Sequence, residues 1–92
     1  MASRPGAPYV YLSFAHPDSE AASALQEALE AEGILCWSAN TDIAPGSNWG
    51  EQLVEAIDRC AALVVIVTPR SANSPWVRRE VQTAVTHRIA VV

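Results

Sequence analysis

One carboxylate, Glu80, stands out because of the residues that come before it. Ser74 is a good N-cap and Pro75 suits the first helical position, so a helix should begin here with Trp76 one turn before Glu80. The predicted buried stripe of this helix contains Val77, Val81, Ala84 and Val85. Glu80 falls at the border of that stripe, where an acid is either catalytic or a solvated side chain paired with an arginine. The arginines within reach are Arg78, Arg79 and Arg88.

Other familiar catalytic and binding patterns are missing from the sequence. It contains neither a Gly-x-x-x-x-Gly-Lys phosphate loop nor a Gly-x-Gly-x-x-Gly fingerprint. Ser13 and His16 could be nucleophile and base, but strand residues three apart point to different faces, which argues against a serine hydrolase. Cys36 and Cys60 have no second pair, so the sequence predicts two reduced, buried thiols and neither a zinc site nor a disulfide framework.

The composition is that of one small globular domain. The chain has 92 residues, of which 50% are hydrophobic and 17% charged. Its net charge of −4 argues against a nucleic-acid binder, which would show a basic face. The sequence has no apolar run of the ~20 residues that span a bilayer, and its N-terminus lacks the apolar core of a secretion signal. We therefore expect a cytoplasmic protein without direct contact to nucleic acid or membrane.

The charges are distributed unevenly along the chain. Residues 1–58 hold one arginine against nine acids, whereas residues 59–92 hold five arginines against the single acid Glu80. This polarity could let copies of the chain attract each other head to tail, or could gather a phosphate-bearing ligand near the second half. The alternative is that two helices simply carry acidic outer faces.

Strand-like and helix-like segments alternate along the sequence. The predicted strands are residues 9–14, 34–37, 62–67 and 89–92. The predicted helices run from the cap Asp18 to Gly33, from the cap Asn48 onward, and from Pro75 to His87. The first two helices bury Ala22, Leu25 and Leu29, and Trp49, Leu53, Ile57 and Cys60. Helical crossovers in this order imply a parallel sheet with helices on both faces.

Ligands of such sheets bind where the loops gather at the carboxyl ends of the strands. The loops at that edge are residues 15–17, 38–47 and 69–74. The second loop is long for a strand-to-helix connection, which is typical of a functional element. The third loop leads directly to Trp76 and Glu80, so any chemistry should take place there.

With these elements placed, the sequence resembles a Toll/interleukin receptor (TIR) domain of the bacterial kind. The stretch from Val10 to His16, Val-Tyr-Leu-Ser-Phe-Ala-His, is close to the family's opening Val-Phe-Ile-Ser-Tyr-Ala-His. The other matching stretches are Trp37 with residues 42–49, Ala56-Ile57 with Cys60, and residues 71–80. The resemblance implies a flavodoxin-like fold with strand order 2-1-3-4, in which residues 9–92 form the TIR domain after a flexible N-terminus of residues 1–8.

The family implies two functions, self-assembly that transmits a signal and cleavage of NAD at the nicotinamide glycosidic bond. NAD would be a substrate, and no cofactor or metal is expected. The resemblance makes Glu80 the catalytic acid. It gives five substrate-binding residues, Ala15, His16, Asp42, Trp49 and Trp76, and an assembly loop with Ile43, Pro45 and Gly46.

Several of these residues have a structural alternative. Trp49 either stacks on the pyridinium ring of the substrate or anchors the second helix in the core. Trp76 is expected to pack beneath the site and orient Glu80, and Trp37 to belong to the core. His16 either touches the ligand or caps its loop. Arg78 and Arg79 are expected to point outward.

The chain also departs from the family. Some members have arginine after the first strand where this chain has Ala15 and His16, and some carry an acid in the second loop where it has Ala44 and Pro45. A complete TIR domain continues through a fifth strand and a final helix, so the sequence predicts a domain that is incomplete at its C-terminus and belongs with a fused or associated sensor.

Two hypotheses follow for the function. The first is an NAD-cleaving effector that is switched on by self-assembly, in bacterial immune signalling. The second is a non-enzymatic TIR scaffold that uses the loop of residues 38–48 for homotypic contacts.

Overall fold

The computed structural model describes residues 8–38 and 49–92, and of Trp49 only the backbone. Its strands are β1 (Tyr9–Ser13), β2 (Leu35–Trp37) and β3 (Ala62–Val65). Its helices are α1 (Ser19–Ala31), α2 (Trp49–Arg59), α3 (Pro69–Ala72) and α4 (Pro75–Thr86), with a short 3-10 turn (His16–Asp18) before α1. The alternation of strands and helices that the sequence predicts is confirmed.

The sheet is parallel, with β1 in the middle of the order β2-β1-β3. Val10 of β1 pairs with Cys36 on one side and with Ala62 on the other. On the other edge of β3, Val91 forms a parallel bridge with Leu63. The predicted flavodoxin-like arrangement is therefore confirmed, although the fourth segment contributes a single bridge where the sequence predicts a strand over residues 89–92.

Side chains of β1 alternate between two hydrophobic cores, as the pleat of a strand requires. Tyr9 and Tyr11 pack with α2, α4 and Trp37 on one face of the sheet. Leu12 and Phe14 pack with α1 on the other face. Helices thus cover both faces, and Ser13 lies on the same face of β1 as Tyr11.

The third strand is shorter than predicted. The apolar run 62–67 indicates a strand covered on both faces, but β3 ends at Val65 and Val67 is 78% exposed. β1 itself ends at Ser13, whose carbonyl accepts a hydrogen bond from the Ile66 N–H at 2.9 Å. β3 cannot continue pairing with β1 beyond that point. The apolar run 62–67 is therefore longer than the part of it that forms a strand.

A four-residue helix, α3, replaces part of the predicted loop 69–74. Thr68 begins it with a capping box: its Oγ1 accepts from the Ser71 N–H at 3.1 Å, and the Ser71 Oγ accepts from the Thr68 N–H at 2.8 Å. Pro69 occupies the first helical position, which suits its fixed φ. This cap places Thr68 and Arg70 at the carboxyl edge of the sheet.

Helix α4 begins as predicted, but its buried face is rotated. Ser74 is the N-cap, with its Oγ accepting from the Val77 N–H at 3.2 Å. The buried residues are Val77, Glu80 and Ala84. Val85 is 64% exposed, so its predicted place in the buried stripe is wrong. The buried face of α4 thus includes Glu80, and Val85 points outward.

Helix α1 ends before Gly33, whose φ of +83° lies in the left-handed region that favours glycine. Ala22 is buried on this helix, and Leu25 and Leu29 pack partly buried against the same core, as predicted. Within residues 8–38 and 49–92, no helix is long and apolar enough to cross a membrane.

Candidate functional site

Glu80 is a buried carboxylate, with a relative exposure of 1%. Both of its oxygens accept hydrogen bonds from β1: Oε1 from the Ser13 hydroxyl at 2.7 Å and Oε2 from the Tyr11 hydroxyl. Tyr11 and Ser13 are two positions apart on the strand, so they present their hydroxyls on the same face. The middle strand of the sheet therefore holds the acid of α4.

Burial is also what governs the protonation of Glu80. Desolvation raises the pKa of its carboxyl to about 7, against the opposing effect of hydrogen bonds from Tyr11, Ser13 and Trp76, which favour the charged form. Burial, with the Glu80 charge close by, raises the pKa of the Tyr11 hydroxyl as well. Glu80 can therefore change its charge near neutral pH.

These contacts decide where the carboxylate lies, which the sequence left open. Glu80 is fully in the core and not at its border, and it is not solvated. Its hydrogen bonds run to Tyr11 and Ser13, whereas Arg78 and Arg79 lie exposed on the outer side of α4, as predicted. The interpretation of Glu80 as a solvated acid paired with an arginine is wrong, because three polar side chains of the core stabilise it instead.

A cavity of about 700 Å³ opens beside Trp76, at the carboxyl ends of the strands. Its lining residues come from the loop after β1 and from the segment that leads into α4: Phe14, Ala15, His16, Pro17, Arg70, Ser74 and Trp76. Trp76 lines the cavity and also donates a hydrogen bond that lowers the pKa of Glu80. The indole is thus the link between the cavity and the buried carboxylate.

The structure brings together three of the five predicted substrate-binding residues. Ala15, His16 and Trp76 all line the cavity. His16 is exposed there, while Ala15 is buried. The other two predicted substrate-binding residues, Asp42 and the side chain of Trp49, lie outside the described part of the chain. The same holds for the predicted assembly loop with Ile43, Pro45 and Gly46. Trp37 belongs to the core, as predicted.

A second polar cluster joins the loop after β1 to α3. The Asp18 side chain, 2% exposed, accepts from the Thr68 hydroxyl at 2.6 Å and from Arg70 Nε and Nη2 at 2.7 and 2.6 Å. The Thr68 and Arg70 hydrogen bonds lower the pKa of the Asp18 carboxyl. Asp18 stands at the N-cap position of α1, but its side chain does not cap that helix, which corrects the prediction. The carboxylate instead holds Arg70 at the cavity.

Sequence reasoning missed four residues of this region: Tyr11, Ser13, Asp18 and Arg70 as contacts of the site. Polar residues spaced two apart in a buried strand were the available signal for Tyr11 and Ser13, because both must find a partner on the same face. Nothing in the sequence pairs Asp18 with Arg70, which are 52 positions apart.

Neither cysteine belongs to the site. Cys36 and Cys60 are buried free thiols, as predicted, and burial raises the pKa of both. Within the described ranges 8–38 and 49–92, no group of three or more histidine, cysteine, aspartate or glutamate side chains is arranged to hold a metal ion.

Comparison with known proteins agrees with this architecture. A family model described as TIR domain matches residues 10–92. The Stimulator of interferon genes protein of Magallana gigas is 29% identical over 82 residues, which cover 85% of this chain and 20% of that protein.

Three solved structures superpose with a TM-score of 0.80 each. The TIR domain of the Toll-related receptor TRR-2 from Hydra magnipapillata is 23% identical and covers 90% of this chain and 66% of its own. The TIR domains of the activated Roq1 resistosome are 25% identical, and the match covers 94% of this chain and 55% of that chain. The metazoan TIR-STING receptor from C. gigas is 22% identical, and the match covers 100% of this chain and 32% of that chain.

The chain spans less than two thirds of each of these relatives, and only a fifth of the M. gigas protein. At 22 and 23% identity, the Hydra and C. gigas structures establish the fold alone. Relatives of this domain thus occur in animal receptors, in one case within a TIR-STING receptor.

Proposed function

We propose that this chain, which belongs to the TIR domain family, is an enzymatic member that cleaves NAD at the bond between nicotinamide and ribose. One observation carries the proposal: the buried carboxylate of Glu80 lies directly behind the tryptophan that lines the cavity at the carboxyl edge of the sheet. Buried acids with shifted pKa beside a cavity are typical of functional sites.

One acid is sufficient for this reaction. As the bond between ribose C1′ and the pyridinium nitrogen breaks, its electron pair goes to the nitrogen, and nicotinamide departs as a neutral ring without needing a proton. Positive charge then accumulates on the ribose as an oxocarbenium-like centre, which one carboxylate can stabilise. The reaction ends when C1′ forms a new bond, either to water, which loses a proton to the solvent and gives linear ADP-ribose, or to a nitrogen of the adenine in the same molecule, which gives a cyclic product. Ordinary glycosidases need a second acid because their leaving group must be protonated.

The described conformation keeps Glu80 away from the cavity. Its carboxylate is 1% exposed and is held by Tyr11 and Ser13, so it reaches a ribose only if it turns from β1 toward the side of Trp76. A resting state of this kind suits an enzyme that is switched on by assembly with other copies. In this proposal, the loop with Ile43, Pro45 and Gly46 mediates homotypic contacts, and a fused or associated sensor triggers them.

The experiment is to incubate the complete protein, under conditions where it assembles, with NAD and to measure released nicotinamide. We expect wild type to release nicotinamide and Glu80→Gln to lose activity by at least ~100-fold, the scale expected for removing one electrostatic stabiliser. Glu27→Gln, the same change on an exposed residue of α1, is the matched control and should retain full activity. Equal activity in wild type and Glu80→Gln would refute the assignment of Glu80.

A scaffold function is the second candidate, and one observation favours it. A glutamate with both oxygens bonded inside a core is also what a purely structural residue looks like. The scaffold hypothesis expects no nicotinamide release from assembled wild type, together with normal homotypic assembly.

The sequence suggests three further parts of the proposal. They are that the TIR domain is of the bacterial kind, that it acts in antiviral defence and that it is located in the cytoplasm.

A further inference from the structure

The cavity beside Trp76 is lined by an arginine, Arg70, and by the N-cap of a helix, Ser74, although the chain as a whole carries a net charge of −4. Arg70 lines the cavity together with His16 and Ser74, and among residues 8–38 and 49–92 no acid lines it. Ser74 is the N-cap of the 12-residue helix α4, whose positive dipole end therefore faces the same space. These groups select an anionic ligand.

The guanidinium of Arg70 is held in place on one side and open on the other. Nε and Nη2 donate to Asp18 Oδ1, which fixes the plane of the group, while the side chain stays 56% exposed. A guanidinium has five N–H donors in a rigid fork, so those not used by Asp18 remain for an anion. Asp18 is itself fixed by the Thr68 hydroxyl at 2.6 Å.

We infer that Arg70, oriented by the buried Asp18, binds the phosphate groups of a nucleotide in the Trp76 cavity. The inference rests on the proposed function, because the NAD that would react near Glu80 carries its negative charge in a pyrophosphate attached to the reacting ribose. Arg70 is then a substrate-binding residue and Asp18 a positioning residue. Helix α3 thus supplies the positively charged side chain, Arg70. The loop after β1, where some TIR domains have an arginine, has Ala15 and His16 in this chain.

The test compares two substrates that share the reacting bond: NAD, and nicotinamide riboside, which has no phosphate. For Arg70→Gln we expect the KM for NAD to rise by about tenfold, the loss expected from one charge-assisted hydrogen bond. The kcat for NAD and both constants for nicotinamide riboside should stay unchanged. Arg59→Gln, which removes an exposed arginine paired with Glu55 on α2, is the matched control and should alter neither substrate.

The role of Asp18 is tested by the same comparison of NAD with nicotinamide riboside. Asp18→Asn should raise the KM for NAD by a smaller factor than Arg70→Gln and leave nicotinamide riboside unaffected, whereas a merely structural role would lower activity toward both substrates. If Asp18→Asn fails to fold, the double variant Asp18→Asn/Arg70→Gln removes the buried ion pair as a unit and should show the NAD defect of Arg70→Gln. An equal KM for NAD in wild type and Arg70→Gln would overturn the inference.

Failure of the proposed function is distinguishable from failure of this inference. If assembled wild type cleaves neither substrate, the binding of ADP-ribose to wild type and to Arg70→Gln is measured by calorimetry. Binding that weakens by about tenfold in the variant supports the phosphate site without any catalysis. Equal binding by both proteins, or no binding to wild type, overturns it.

Discussion

Glu80 shows how a single side chain can be both a core residue and a candidate catalyst. Its hydroxyl partners on β1 satisfy both oxygens, and desolvation raises the pKa of the carboxyl to about 7. Asp18 shows the opposite behaviour, because hydrogen bonds from Thr68 and Arg70 lower the pKa of its carboxyl. Two buried acids of the same edge therefore titrate in different pH ranges.

The stability of the fold should depend on pH through Glu80. The folded chain keeps the Glu80 proton up to a pH of about 7, whereas the ordinary pKa is 4.5, so this stabilising contribution is complete below pH 4.5 and is lost as the pH rises through 7. The free energy of unfolding should fall by roughly 3 kcal/mol across that window, at about 1.4 kcal/mol per unit of pKa shift.

Urea unfolding of wild type and Glu80→Gln at several pH values between 4 and 8 measures this contribution. We expect the difference between the two proteins to change across the window, because only the wild type carries the Glu80 carboxyl. Asp18 does not interfere, since its lowered pKa confines its loss of stability to pH values below its ordinary 3.8. Parallel curves for the two proteins would contradict the shift assigned to Glu80.

Two short segments between β3 and α4 place the cavity. The capping box of Thr68 and Ser71 starts α3, and the cap Ser74 starts α4. These caps satisfy N–H groups that would otherwise lack partners at the helix ends. They also determine where Arg70 and Trp76 enter the cavity, so local hydrogen bonding sets the geometry of the site.

The cap of α4 should have a measurable value. Ser74→Ala removes the acceptor of the Val77 N–H, and we expect the free energy of unfolding to fall by about 1 kcal/mol. Ser23→Ala, the same change inside the exposed side of α1, is the control and should leave stability unchanged or slightly raised, because alanine is the better helix former. Urea denaturation decides between these outcomes, and an unchanged midpoint for Ser74→Ala would show that the cap contributes nothing.

At the level of the whole molecule, the two halves of the chain meet on opposite sides of β1. The first half supplies β1, α1 and β2, and the second half supplies the cation Arg70 and the acid Glu80. Because β1 is the middle strand, its carboxyl end lies beside both α3 and α4. One arginine of the basic second half, Arg70, thus lines the cavity and pairs there with an acid of the first half, Asp18.

Assembly should depend on the loop with Pro45 and Gly46, which lies outside the described residues. We expect Pro45→Ala and Gly46→Ala in the complete protein to reduce oligomer size in light scattering and, with it, nicotinamide release. Ala28→Ser, on the exposed side of α1, is the control and should leave both unchanged. If oligomer size stays constant while activity falls, the loop acts on substrate and not on contacts between copies.

Periodicity and capping residues in the sequence were sufficient for the elements and the layers of this fold. Ser74 and Pro75 predicted the start of α4, Gly33 predicted the end of α1, and the alternation of segments predicted a parallel sheet with helices on both faces. These are local signals, since a cap, a left-handed glycine and an apolar repeat act within a few residues of themselves. The motif of the first strand likewise sufficed to place Ala15 and His16 at the edge where Trp76 lies.

Contacts between distant segments required the folded chain. The partners of Glu80 are 67 and 69 positions away in sequence, and Asp18 and Arg70 are separated by 52. A helical wheel gives the direction of the Glu80 side chain but does not show its hydrogen-bond partners, the Tyr11 and Ser13 hydroxyls. For this reason the wheel put the acid at the border of the core and Val85 inside it. Burial, the shifted pKa and the orientation of Arg70 all arise from those long-range pairings, because each depends on which side chains the sheet brings within hydrogen-bond distance.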